Sequence, residues 1–83
     1  MKIYTLKNLD GTKKLVTSDR EAFKIELKNM IYETILKTLE RKLNKNENNY
    51  SEVKRLIKLN NCNYDELKEL AEEIEIKWEL EYK

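Results

Sequence analysis

Histidine and proline are missing from the 83-residue chain, and glycine and cysteine occur once each, as Gly11 and Cys62. Without histidine there is no imidazole to act as general base, metal ligand or charge switch near neutral pH. A lone cysteine excludes an intrachain disulfide, a CxxC redox pair and a cysteine-rich zinc site built from one chain. Cys62 is therefore expected to be a small apolar residue between two helices. A single glycine excludes a glycine-rich phosphate loop. No apolar run approaches the roughly 20 residues that span a bilayer. The start, Met1-Lys2-Ile3-Tyr4-Thr5, lacks the apolar core of a signal peptide. The expectation is a cytoplasmic protein with no membrane partner and no cofactor.

What is present is a chain 40% hydrophobic and 40% charged, with 17 basic and 16 acidic residues and a formal net charge of +1. A chain this short buries only about 60–70% of its unfolded surface, which allows one small core, and residues 1–83 are read as a single domain. Near-neutrality argues against a uniformly basic nucleic-acid binder and against an acidic solvating tail.

Between Lys2 and Thr17 two short apolar-polar runs flank Asp10-Gly11, a pair favoured in two-residue type I′ hairpin turns because both central residues need positive φ. Centring the turn there opposes Leu9 with Thr12, Leu6 with Leu15 and Thr5 with Val16. Tyr4, Leu6 and Leu15 then share one face, and Ile3, Thr5 and Val16 the other, so apolar residues occupy both and the sheet is expected to be partly covered on both.

Ser18-Asp19-Arg20-Glu21 matches a capping box in which Ser18 and Glu21 satisfy each other's backbone N–H. Helix 1 is predicted from there to about Leu43, with Phe23, Leu27, Met30, Ile31, Ile35, Leu39 and Leu43 at spacings of three and four. The row from Leu27 to Leu43 slides around the cylinder, and Ile25, Tyr32 and Leu36 widen it. Phe23, Leu27 and Met30 are expected to meet the sheet, and Ile35, Leu39 and Leu43 the later helices or a second chain. After an Asn-rich break at 44–49, helix 2 is expected to bury Val53, Leu56 and Ile57. A turn at Asn60-Asn61-Cys62-Asn63 leads to helix 3, capped by Asn63, with Leu67, Leu70, Ala71 and Ile74 on one face.

From Glu73 to Lys83 polar and apolar residues alternate without a break, the pattern of a half-buried strand. A continued helix would leave Ile76 and Leu80 among charges, whereas a strand completes the hairpin into a stable sheet. The fold class is therefore α+β: an N-terminal β-hairpin, three helices, one of them long, and a C-terminal strand completing a three-stranded antiparallel sheet packed on helices.

Candidate catalytic patterns are weak. Glu75-Ile76-Lys77 on a strand would set a carboxylate and an ammonium on one face, as metal-dependent nucleases require, but the same spacing recurs in Glu26-Leu27-Lys28. Asn44-x-Asn46-x-Asn48 has the alternating oxygens of a calcium loop. It lacks the leading carboxylate and the sixth-position glycine, and Arg55 stands where the terminal Glu belongs. Ser18 and Ser51 read as helix-start residues rather than nucleophiles. Helix 2, the turn and helix 3 have the size of a helix-turn-helix, yet the would-be recognition helix carries Asp65, Glu66, Glu69, Glu72 and Glu73 against Lys68 alone, a poor match to phosphates.

The charges are split along the chain. Tyr64 to Lys83 holds eight acids (Asp65, Glu66, Glu69, Glu72, Glu73, Glu75, Glu79 and Glu81) and three bases, giving −5, while residues 1–63 give +6. An acidic helix and strand face suits a basic groove on another protein, including one that normally holds nucleic acid. The expected function is non-enzymatic: a protein–protein interaction module, a stoichiometric inhibitor or regulator of the kind small phage and mobile-element proteins often are, with those eight acids as the partner-binding set. Two alternatives stand beside it: a nucleic-acid-binding regulator of helix-turn-helix type using the basic helix 2, and a homo-oligomeric subunit, possible as a homodimer through helix 1.

Overall fold

In the computed structural model, which describes residues 1–83, the hairpin joins β1 (Lys2–Lys7) to β2 (Lys13–Thr17). Thr5 pairs with Val16 and Leu6 with Leu15, as the sequence implies, but the turn is not the two-residue type. Only Gly11 has positive φ there (88°), and a type I′ turn needs two such residues. Instead Asn8 and Thr12 close a three-residue loop: the Gly11 N–H donates to the Asn8 carbonyl (3.0 Å) and the Asn8 N–H to the Thr12 carbonyl (2.8 Å). Asp10 shapes this loop by accepting from the Thr12 N–H (2.9 Å) and hydroxyl (2.6 Å). Those bonds, the hydroxyl's first, hold its carboxyl below the ordinary value. The extra loop residue shifts the register between Leu6 and Lys7, so Lys7 opposes Lys13 and the Leu9–Thr12 pair does not form.

Helix α1 (Arg20–Asn44) begins one residue later in its capping than the sequence suggests. Asp19, not Ser18, is the N-cap, and its carboxylate accepts from the N–H groups of Glu21 (2.9 Å) and Ala22 (3.4 Å). A carboxylate there also faces the positive end of the helix dipole, an advantage a serine hydroxyl lacks. Helix α2 covers Tyr50–Asn61 and α3 Tyr64–Glu73, leaving only Cys62 and Asn63 between them rather than a four-residue turn. Asn63 forms a full capping box with Glu66.

With one glycine in the chain, two helices end on other residues in the left-handed region: Asn46 (φ 53°) after α1 and Glu75 (φ 62°) after α3. Both ends are Schellman motifs. After α1 the Glu47 N–H donates to the Lys42 carbonyl (2.8 Å) and the Asn46 N–H to that of Leu43 (3.2 Å). After α3 the Ile76 N–H donates to the Ala71 carbonyl (2.8 Å) and the Glu75 N–H to that of Glu72 (3.1 Å), while Ile76 itself is buried. Glu75 is thus the stop of a helix and not part of a strand, and the Glu-Ile-Lys triplet loses the geometry its nuclease reading required.

The tail does form a strand, β3 (Trp78–Tyr82), which runs antiparallel to β1 with Leu6 opposite Trp78 and Tyr4 opposite Leu80. The sheet order is β2-β1-β3, so the N-terminal strand lies in the middle. Tyr4 and Leu6 face the helices and are buried with Phe23, Leu27, Met30 and Ile31 of α1. Phe23 stacks on Tyr4 (centroids 4.9 Å apart) and tilts against Trp78 (5.6 Å). Such aromatic contacts add to the burial of apolar area. The opposite sheet face is open rather than covered: Val16, Glu79 and Glu81 are exposed there, although Thr5 at its centre is buried by its neighbours.

Beyond the sheet, α1 continues against α2 and α3. Helix α2 is rotated from the orientation the sequence suggests, with Glu52 and Leu59 buried, Leu56 half-buried, and Val53 and Ile57 exposed. Leu59 was the better anchor because Leu56, Leu59 and the partly buried Cys62 lie one turn apart along one line, and the ion pair of Glu52 fixes the same side.

Candidate interaction surfaces

Fold and helix periodicity distribute the eight acids over several environments. On α3, Leu67, Leu70 and Ala71 are buried, so at 100° per residue Asp65, Glu69 and Glu72 form the outward ridge. Asp65 is 3.5 Å from Lys68, whereas Glu69 and Glu72 have no ion partner. Glu66 serves the capping box, and its carboxylate accepts from the Asn63 N–H (3.5 Å). Glu73 accepts from Arg55 Nε (3.4 Å). Glu75 occupies the left-handed helix stop. Glu79 and Glu81 oppose Thr5 and Ile3 and therefore lie on the open sheet face, away from the helices. Lys7 Nζ lies 2.7 Å from Glu79 and holds its carboxyl below the ordinary value, and Lys83 lies 3.8 Å from Glu81. The acids thus make a helix ridge and a neutralised strand face, not one continuous surface. The two approach each other only at a shallow depression lined by Glu72, Trp78 and Glu79 together with Lys7 and Lys77.

A second polar feature has no counterpart in the sequence reading. Where α1, α2 and α3 meet, a cleft of about 250 Å³ is lined by Thr34, Thr38, Glu52, Arg55 and Glu73 among others. Glu52 is only 4% exposed. Lys42 Nζ donates to both its carboxylate oxygens (2.9 and 3.0 Å), and Arg55 Nη1 lies 3.9 Å away. The Lys42 bond holds the Glu52 carboxyl below its ordinary value despite burial, which acts the other way. Thr34 and Thr38 turn their hydroxyls back onto the carbonyls of Met30 and Thr34. Each charge of this network, Lys42, Glu52, Arg55 and Glu73, has its counter-charge within the protein, so the arrangement ties the helices together, and the one unpaired charge at the cleft is the exposed Glu75 at its rim. No three Cys, Asp or Glu side chains converge closely enough to hold a metal ion. The Lys42–Glu52 pair crosses the Asn-rich loop, and ten-residue spacing carries no helical periodicity, which is why it cannot be read from pattern alone.

The third feature is apolar. On α1, Ile25, Tyr32, Leu36 and Leu43 are 58%, 49%, 37% and 56% exposed. At 100° per residue they lie within about 40° of one another and roughly opposite Phe23 and Leu27. The widening noted in the sequence is therefore a separate stripe on the outer face. No helix is long and apolar enough to cross a membrane, so this stripe is not part of a span. Cys62 is half-buried, its thiol turned toward the Leu59 carbonyl (3.5 Å), the packing role expected of it. Comparison with known proteins returns no match among protein-family models, curated proteins or solved structures.

Proposed function

We propose that the protein acts by stoichiometric binding to another protein, as an inhibitor or regulator, and that the outward ridge of α3 is its acidic contact. The observation that carries this reading is that Glu69 and Glu72 stand on one exposed face without ion partners, while Glu73, Glu79 and Glu81 are each paired within the chain. Unpaired carboxylates on a rigid, capped helix retain their field for an incoming basic surface, where they raise association rate and orient docking. A basic groove that otherwise holds nucleic acid is the partner chemistry that fits. The acids of the strand face contribute less, because their lysines already offset them and exposed pairs add little energy. In the helix-turn-helix alternative, the same ridge would face the phosphates and repel them.

The test is affinity capture from the native host with wild-type protein and with Glu69→Lys/Glu72→Lys. A partner retained by the wild type and lost by the variant, at unchanged melting temperature, supports the ridge. Equal capture by both sinks it. A gel-shift series over salt concentration addresses the alternative: nucleic-acid binding that falls steeply with salt would replace the proposal.

A further inference from the structure

We infer that the outer face of α1 pairs with a second copy of this chain, the two helices lying parallel as a short coiled coil. A seam of this kind repeats every 3.5 residues, with apolar residues at the a and d positions of a heptad. From Ala22 to Leu43 the outer face of α1 follows that repeat with a single polar exception, Asn29. The d positions are Ile25, Tyr32 and Leu39; the a positions are Ala22, Asn29, Leu36 and Leu43. Four of these apolar side chains are exposed, and none belongs to the buried core. The residues that pack on the sheet, such as Phe23 and Leu27, fall at the b and f positions, so core and seam use different faces of one helix.

The flanking charges select the arrangement. The e positions are Glu26, Glu33 and Glu40, all acidic, while the g positions are Glu21, Lys28, Ile35 and Lys42. In a parallel pair, g of one helix meets e of the next heptad on the other, which sets Lys28 beside Glu33 of the second copy in the middle of the seam, twice by symmetry, and leaves one like-charge contact, Glu21 with Glu26, at its exposed N-terminal end. In an antiparallel pair, e meets e and g meets g, so glutamate would face glutamate along the whole e flank. Neither Lys28 nor any of the three e-position glutamates is paired within the chain. Asn29 is the lone polar residue in the seam, and a single asparagine at an a position fixes register and two-strandedness. A three-stranded assembly would need both flanks of the helix, yet Ile35 at g is already buried and Lys42 is held by Glu52. Because α1 is folded before it pairs, association carries no helix-forming penalty.

The experiment is sedimentation equilibrium of the full chain from micromolar to millimolar concentration. The apparent mass should rise from 10.1 kDa toward twice that value. Leu36→Glu should weaken association at least tenfold with an unchanged circular dichroism spectrum, because Leu36 is outside the core. Lys28→Glu and Glu33→Lys should each weaken it, and the double exchange should restore it. In a Cys62→Ala background, Leu43→Cys should form a disulfide-linked dimer on oxidation, since only a parallel pair brings the two copies of that residue together. A monomer at all concentrations overturns the inference. So does a dimer indifferent to Leu36→Glu, and so does a dimer that the double exchange fails to restore or that Leu43→Cys fails to link.

Discussion

Removing Lys42 should damage the protein more than removing the carboxylate it binds. The side chain of Glu52 is 5% exposed, while those of Lys42 and Arg55 are 24% and 32% exposed. Lys42→Met leaves a buried carboxylate whose remaining cation, Arg55, is 3.9 Å away and shared with Glu73. Stripping one partner from a fully buried pair costs about 3–5 kcal/mol, and the residual help from Arg55 lowers this to about 2–3 kcal/mol. Glu52→Gln instead leaves a lysine that already reaches water, so its loss should be nearer the value of a partly exposed hydrogen-bonded pair, about 1 kcal/mol. The gap of about 1–2 kcal/mol corresponds to roughly 5–15 °C in melting temperature for a domain of this size.

The sign of the pH dependence follows from the same geometry. The Lys42 hydrogen bond holds the folded-state carboxyl of Glu52 below the ordinary glutamate value. Its contribution is therefore present above the unfolded value and disappears as pH falls through the folded one. In Lys42→Met the buried carboxyl is expected to titrate higher, so acidification relieves the defect and the difference from wild type closes. Urea denaturation followed by Trp78 fluorescence, on both single variants and the double variant at neutral and acidic pH, measures all of this. The double variant should cost less than the sum of the singles. Equal losses for Lys42→Met and Glu52→Gln at neutral pH, or a gap unaffected by acid, would refute the placement of Glu52 as a buried, lysine-held anion.

Two further outcomes concern the helix ends. Glu75→Gly should stabilise the protein by about 1 kcal/mol, because glycine occupies the left-handed stop without the Cβ penalty; thermal melting reads the gain, and a loss would count against the φ of 62° at that residue. Asp19→Ala should cost about 1 kcal/mol while Ser18→Ala changes stability by less than about half that, a ranking that chemical denaturation of the two variants checks directly.

Much of the fold is written in local patterns. The period-two run of the tail, the three-and-four spacing of α1 and the Asn63–Glu66 box each specify an element by themselves. The errors lie where two local signals competed or where a contact was remote. Asp10-Gly11 satisfies a two-residue turn and a three-residue loop alike, and the Asp10–Thr12 bonds, invisible to pattern, decide for the latter. Ser18 and Asp19 are both good caps, and the Thr17 hydroxyl accepting from the Asp19 N–H (3.0 Å) fixes the second. The rotation of α2 depends on Lys42, which belongs to another helix. The acidic set was legible as a count and not as a surface, because strand and helix periods send Glu79 and Glu72 in different directions. Helix α1 shows the converse: its apolar excess was visible at once, but the 3.5-residue seam emerges only after the 3.6-residue core face is subtracted.

That separation of faces determines which substitutions can distinguish binding from folding. Glu66 caps α3, Glu73 holds Arg55, and Glu79 joins β3 to Lys7 on β1. Reversing all eight acids together would perturb a cap and four ion pairs along with any partner contact, and a loss of binding would be uninterpretable. Glu69 and Glu72 are free of such duties, as Leu36 is on α1. Each lies opposite the buried face of its own helix, so its substitution changes what the molecule presents without changing what holds it together. If the ridge of α3 and the outer face of α1 serve different partners, Leu36→Glu should spare capture through the ridge, and Glu69→Lys/Glu72→Lys should spare self-association. Cross-sensitivity between the two assays would instead mean that the ridge is completed only in the dimer, which would make pairing of α1 a precondition for binding.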